Sequence, residues 1–187
     1  MKYVNKILNS GKSVFTFDDI KLLLWINNRD TIKSFLTRQI KSWFLQNMYR
    51  WIYVMKKFDI FEFASKLKKN SYISFETVLK QEGVIFQDYW NVVFSTSDNT
   101  ITKRAVWLEF KYYKIKNTIL LNPLWIINKW KYTIATPERA ICDRLYLSKN
   151  YYFDNLEWIN KEKLIEISQI YNKRVILEVK KILANVE

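Results

Sequence analysis

Apolar positions recur at helical spacing through the first third of the chain. Tyr3, Val4, Ile7 and Leu8 share one face of a short helix, and Gly11 stands where a helix stop belongs. Val14-Phe15 is a short β-prone step. Thr16 then offers an N-cap, with Asp18 and Asp19 in the first turn, where the helix dipole favours acids. Ile20, Leu23 and Leu24 make the apolar face of that second helix. Asn27-Asn28 reads as a turn, and a third helix runs from there to about Ser42 with Asp30 in its first turn. Its Ile32, Phe35, Leu36 and Ile40 line one side. Ser34, Thr37, Arg38 and Lys41 take the opposite side, with Lys33 at the edge. Phe44-Leu45-Gln46 and Ile52-Tyr53-Val54 read as two short strands around a basic tip of Asn47, Met48, Tyr49 and Arg50.

Three helices and a hairpin within residues 1–58 are the pattern of a winged helix-turn-helix domain. In that motif the third helix enters the major groove. Lys33, Ser34, Thr37, Arg38 and Lys41 are then the groove-facing residues, and the Arg38 fork suits the O6 and N7 atoms of a guanine edge. Arg29, Asn47, Arg50, Lys56 and Lys57 are the expected phosphate contacts. The alternative from pattern alone is a three-helix bundle with a solvated basic face.

The character changes from Asp59, which marks the start of a second domain, 59–187. Ile60 to Leu67 predicts a short helix. Ser71 to Gly83 predicts a second, with Ser74 as N-cap and Glu76 in the first turn. Strands are expected at 91–96, 105–110, 112–115 and 118–121, where Val, Phe, Tyr, Thr and Ile alternate. Thr136-Pro137-Glu138 is a strong helix start, and that helix turns Ala140, Ile141, Leu145 and Tyr146 towards the core. Two helices close the chain, at about Lys161–Tyr171 and Lys173–Asn185. The fold class expected is α+β: a winged helix-turn-helix followed by a mixed α/β domain.

Composition narrows the chemistry. The 187 residues are 49% hydrophobic and 17% aromatic, enough to bury a core and offset ordering entropy. No apolar run reaches the roughly 18–20 residues that span a bilayer, and the first ten residues are too polar for a signal peptide, so a cytoplasmic protein without membrane contact is expected. A single cysteine, Cys142, fits a reducing compartment. Histidine is absent, which removes histidine triads, bases and metal ligands together. The net charge is +13, and residues 1–58 carry 11 basic side chains against 3 acidic ones. Such a concentration of positive charge is the footprint of a polyanion-binding module.

Three segments resemble the AbiEi family of bacterial antitoxins and transcriptional regulators. Thr31 to Val54 is similar to the family's recognition helix and wing. Tyr72-Ile73-Ser74-Phe75-Glu76-Thr77-Val78-Leu79, followed by Gly83, resembles its second helix motif. Ile134-Ala135-Thr136-Pro137-Glu138-Arg139-Ala140 through Asp143 to Leu147 resembles its third and most specific motif. The resemblance implies a DNA-binding autorepressor acting on inverted repeats in its own promoter, as a homodimer. It also implies an antitoxin that counters a nucleotidyltransferase-like toxin. The motif residues Tyr72, Ser74, Glu76, Thr136, Pro137, Glu138 and Asp143 read as scaffold, with function carried elsewhere.

Tryptophan stands where glycine is expected. The chain has 8 Trp and 2 Gly, whereas glycine is usually about 7% of residues. Trp25, Trp43, Trp51, Trp130 and Trp158 fall at helix ends and turns, positions that favour glycine. A coding sequence whose UGA codons mean glycine, translated here as tryptophan, accounts for this. Trp107 and Trp125 are the best candidates for genuine core or stacking residues.

The leading expectation is therefore a non-enzymatic repressor and antitoxin, without cofactor or metal. A basic adaptor that binds protein or RNA is the alternative. A carboxylate-metal nuclease, drawing on Glu76, Glu109, Glu138 and Asp143, is the third reading; no nuclease-like spacing of acids supports it, and a chain without histidine is poorly equipped for general-base work.

Overall fold

The computed structural model describes residues 2–184. The chain is a mixed α+β protein that divides into two compact units, Met1–Leu67 and Lys68–Glu187. The first unit comprises α1 (Lys2–Asn9), β1 (Val14–Thr16), α2 (Phe17–Leu24), α3 (Arg29–Lys41), β2 (Gln46–Tyr49), β3 (Ile52–Val54) and α4 (Ile60–Leu67). Its three strands form an antiparallel sheet in the order β1-β3-β2.

Local chemistry starts each helix. Thr16 closes a reciprocal capping box with Asp19: the Asp19 amide donates to Thr16 Oγ1 at 3.1 Å, and the Thr16 amide donates to the carboxylate at 2.8 Å. Asn28 caps α3 by accepting from the amides of Asp30 and Thr31 at 2.9 and 3.0 Å. Ile7, Phe15, Ile20, Leu24, Ile32, Phe35, Leu36, Leu45 and Tyr53 form one apolar core. Each fully buried aliphatic or phenyl group contributes about 1.5–3 kcal/mol.

Helix α4 belongs to this unit, so the boundary falls nine residues later than the change at Asp59 suggested. The reason is a buried polar tie. Glu62 accepts from the amide and hydroxyl of Ser13 at 3.0 and 2.7 Å, while the Asp59 amide donates to Ser13 Oγ at 2.9 Å. The hairpin also differs in register. Leu45 lies buried ahead of β2, and Asn47 sits within the strand opposite Tyr53 rather than at the tip. A bulge between Asn47 and Tyr49 restores the pairing, and Arg50-Trp51 makes the turn. Ile40, expected in the core, lies at the margin of α3's apolar face with 36% exposure.

The second unit holds a six-stranded mixed sheet of order β6-β7-β5-β4-β9-β8. The strands are β4 (Tyr72–Ile73), β5 (Val92–Ser97), β6 (Ile101–Ala105), β7 (Leu108–Lys114), β8 (Ile126–Lys129) and β9 (Tyr132–Ala135). The helices are α5 (Phe75–Gln81), α6 (Asn117–Leu120), α7 (Pro137–Leu147), α8 (Lys161–Ser168) and α9 (Lys173–Ala184). The pairs β4–β9 and β5–β7 are parallel; the other pairs are antiparallel.

Several expectations change here. Residues 105–110 are not one strand: Val106-Trp107 turns the chain between β6 and β7, and residues 112–114 continue β7, which ends before Ile115. Residues 118–121 lie in the short helix α6 and the turn after it, because Leu120 and Ile119 bury on one side of a single turn. Tyr72-Ile73 pairs in the sheet, so α5 begins only at Phe75. The hairpin β8–β9 has no counterpart in the sequence reading. Helix α7 begins as expected, with Pro137 at its first turn and Thr136 Oγ1 accepting from the Arg139 amide. The end of the last expected helix, Asn185, lies outside the described residues.

Nine described non-glycine residues have positive φ: Trp25, Trp43, Trp51 and Trp125, Asn70, Asn91 and Asn150, Phe75 and Val106. Asparagine tolerates this region; indole and β-branched side chains do not. Trp107 is 56% exposed and Trp125 half-buried, so neither is a core tryptophan. Trp125 does make specific contacts: Lys163 lies 4.5 Å from its ring centroid, and its Nε1 donates to Glu166 at 3.0 Å.

Candidate nucleic-acid interface

Helix α3 has two chemically distinct sides. Ile32, Phe35 and Leu36 are buried at 0%, 5% and 2% exposure. That anchoring fixes the rotation of the helix and turns Lys33, Ser34, Thr37, Arg38 and Lys41 into solvent, where all five are exposed. The remaining expected contacts, Arg29, Asn47, Arg50, Lys56 and Lys57, are exposed as well. Arg29 opens α3, Arg50 is at the hairpin turn, and Lys56-Lys57 follow β3.

The charge of this surface is largely unopposed. Lys33 pairs with Asp30 at 3.4 Å, both side chains at least half exposed, which contributes little in water. Arg38, Lys41, Arg50, Lys56 and Lys57 form no ion pair among the described residues. Most carboxylates of the unit are engaged elsewhere. Asp19 holds the α2 cap and bonds Lys66 at 2.8 Å, Glu62 binds Ser13, and Asp59 caps α4 through the amides of Phe61 and Glu62. Burial alone would raise the Asp19 carboxyl; the bonds from Lys66 and from Thr16 outweigh it and hold the group below its ordinary value.

Arg29 is positioned by aromatic rings. Its guanidinium carbon lies 5.7 Å from the ring centroids of both Phe17 and Trp51, and those rings meet edge to face at 5.9 Å. The Phe17 amide donates to the Trp51 carbonyl at 3.1 Å. The hairpin turn, the start of α2 and the first residue of α3 are thereby held together.

The motif residues of the second unit make a different kind of site. Asp143 is fully buried and accepts three hydroxyls: Ser74 at 2.7 Å, Tyr171 at 2.6 Å and Tyr72 at 3.0 Å. Arg139, also fully buried, donates to Tyr72 Oη at 3.1 Å and to the carbonyls of Asn122, Leu124 and Ile119 at 3.3, 2.8 and 2.7 Å. It lies 3.8 Å from Asp143. Burial pushes the Asp143 carboxyl up, against the pull of Arg139 and the three hydroxyl donors. The hydroxyl of Ser74 is committed to Asp143 and makes no cap bond to α5. Glu76 meets Arg144 at 3.2 Å, and Glu138 accepts from the Asn160 amide at 3.3 Å.

Tyr72, Ser74 and Asp143 thus come together, whereas Glu76, Thr136, Pro137 and Glu138 serve separate local contacts. The sequence reading missed Arg139 and Tyr171 as members of the cluster. Arg139 stands one helical turn before Asp143, a spacing that brings the two side chains together; nothing in the sequence marks Tyr171. The four acids considered for a metal have unrelated partners, Glu109 being bound by Arg104 at 2.7 Å and Lys111 at 3.2 Å. Among the described residues no group of three or more acidic or thiol side chains is arranged to hold a metal ion. No helix among them is long and apolar enough to cross a membrane.

Neither a protein-family model nor a curated protein matches the chain.

Proposed function

We propose that the chain is a DNA-binding autorepressor whose first unit is a winged helix, with α3 as the recognition helix and the β2–β3 hairpin as the wing. The observation that carries this reading is the exposed cationic side of α3, held outward by a buried apolar stripe and free of acidic partners apart from Asp30. Arg38 reads a guanine edge, and Arg29, Asn47, Arg50, Lys56 and Lys57 hold phosphates. The target is double-stranded DNA bearing inverted repeats in the protein's own promoter, bound by a homodimer.

The second half of the proposal, an antitoxin countering a nucleotidyltransferase-like toxin, is supported by the resemblance of the Tyr72–Gly83 and Ile134–Leu147 segments to the AbiEi family. In that reading the buried Asp143–Arg139 cluster is scaffold, and no catalytic step is assigned to it.

A salt-controlled shift assay on the promoter tests the DNA reading. Arg38→Ala is expected to cost about 1–3 kcal/mol and to relax specificity at one base pair, while Lys57→Ala weakens all sequences alike. Unchanged binding in both variants would remove α3 and the hairpin from the interface.

A further inference from the structure

We infer that the tryptophan positions of this chain are glycine positions, and that the gene product in its own cell carries glycine there because its UGA codons are read as glycine. The structure adds to composition an independent observation, the backbone. All eight tryptophans fall in turns, and none lies inside a helix or a strand. Side chains of this size belong in cores and sheets, so a complete segregation to turns runs against their chemistry.

Four of the eight adopt the left-handed conformation. Trp25 closes α2 with φ 59°, Trp43 follows the cap of α3 with φ 58°, Trp51 completes the hairpin turn with φ 63°, and Trp125 precedes β8 with φ 55°. In that region Cβ crowds the following carbonyl oxygen of any L-residue, and only glycine escapes the penalty. At the α2 end the hydrogen bonds are those of a glycine stop: the Trp25 amide donates to the Leu22 carbonyl and the Ile26 amide to the Lys21 carbonyl. The two glycines present, Gly11 and Gly83, have φ 65° and 68°, the same well.

The other four occupy turns that glycine commonly fills. Trp107 and Trp130 sit in the two-residue loops of the β6–β7 and β8–β9 hairpins. Trp90 and Trp158 are 80% and 82% exposed. Exposure completes the case: Trp25 is 88% and Trp43 78% exposed, and neither makes a ring or cation contact among the described residues. Such indoles add apolar surface without stabilising the fold.

Trp25 and Trp43 give the cleanest test, since Trp51 and Trp125 have contacts that a replacement also removes. With glycine at 51, Arg29 keeps the Phe17 ring and the Phe17 amide keeps its bond to the carbonyl of residue 51. The full chain is made with W25G, W43G, W25A and W43A, and thermal unfolding is compared. Both glycine variants are expected to raise the midpoint by roughly 2–4 °C, and the alanine variants to gain clearly less, because alanine keeps the Cβ. Equal gains for alanine and glycine would assign the effect to the exposed ring and overturn the backbone argument. A lower midpoint for the glycine variants would overturn it too. The coding question is separate: UGA codons at the eight sites, with peptides from native cells carrying glycine, support the inference. UGG codons end it whatever the unfolding data show.

Discussion

The two units of this protein treat charge in opposite ways. In Met1–Leu67 the core is apolar, the cations of α3 and the hairpin face water, and most acids are absorbed by caps and one buried tie. In Lys68–Glu187 an arginine and an aspartate are wholly buried, surrounded by tyrosine and serine hydroxyls and backbone carbonyls. A cation that must meet a phosphate has to stay solvated and unpaired. A cation that organises a core has to be satisfied on every side, since an unmet buried charge is costly. Exposure and partner count therefore separate residues available for recognition from residues committed to the fold.

The comparison can be broken most forcefully at Asp143. Asp143→Ala leaves Arg139 without its carboxylate and three hydroxyls without an acceptor, and is expected to cost the second unit about 3–5 kcal/mol. Denaturant unfolding followed by circular dichroism measures this; a near-native midpoint would mean that the cluster does not hold that unit together. A smaller effect is expected at the α2 cap, where Thr16→Ala costs about 0.5–2 kcal/mol. The cap also carries a pH signature. Because the Asp19 carboxyl is held below its ordinary value, its contribution is present above about pH 4 and disappears as pH falls through the folded-state value. The difference in unfolding midpoint between the parent chain and Asp19→Asn should shrink on acidification below about pH 4. The smallest effect on folding belongs to the exposed cationic side of α3, proposed to face DNA: Lys41→Ala should move stability by no more than about 0.5 kcal/mol. The same change should lower DNA affinity and reduce the salt slope by roughly one. Loss of both stability and affinity would place Lys41 among the structural cations.

The first unit was readable in the sequence because its signals are local. The Ile32, Phe35, Leu36 stripe, the Thr16 and Asn28 caps and the cation spacing each act within a turn or two of helix. Chain topology was harder. The run 118–121 looks β-prone residue by residue, yet Ile119 and Leu120 pack as one helical turn. The β8–β9 hairpin escaped notice although Trp130 reads as a turn position, because β8 is four residues long and mostly exposed and so has no alternating apolar pattern. Ser74 looked like a cap because its spacing to α5 is right, but a carboxylate 69 residues away captures its hydroxyl. Asp143 was visible only as part of a motif, since its three hydroxyl donors come from two segments, Tyr72–Ser74 and the one around Tyr171, that are remote in sequence.

Phe75 has a bearing on how the second unit opens. Its left-handed backbone, φ 53°, turns two residues of one short segment towards consecutive residues of α7, Ser74 to Asp143 and Glu76 to Arg144. Releasing either grip alone leaves the other in place, so the first turn of α5 and the middle of α7 should exchange their amide hydrogens in a single cooperative event rather than fraying independently.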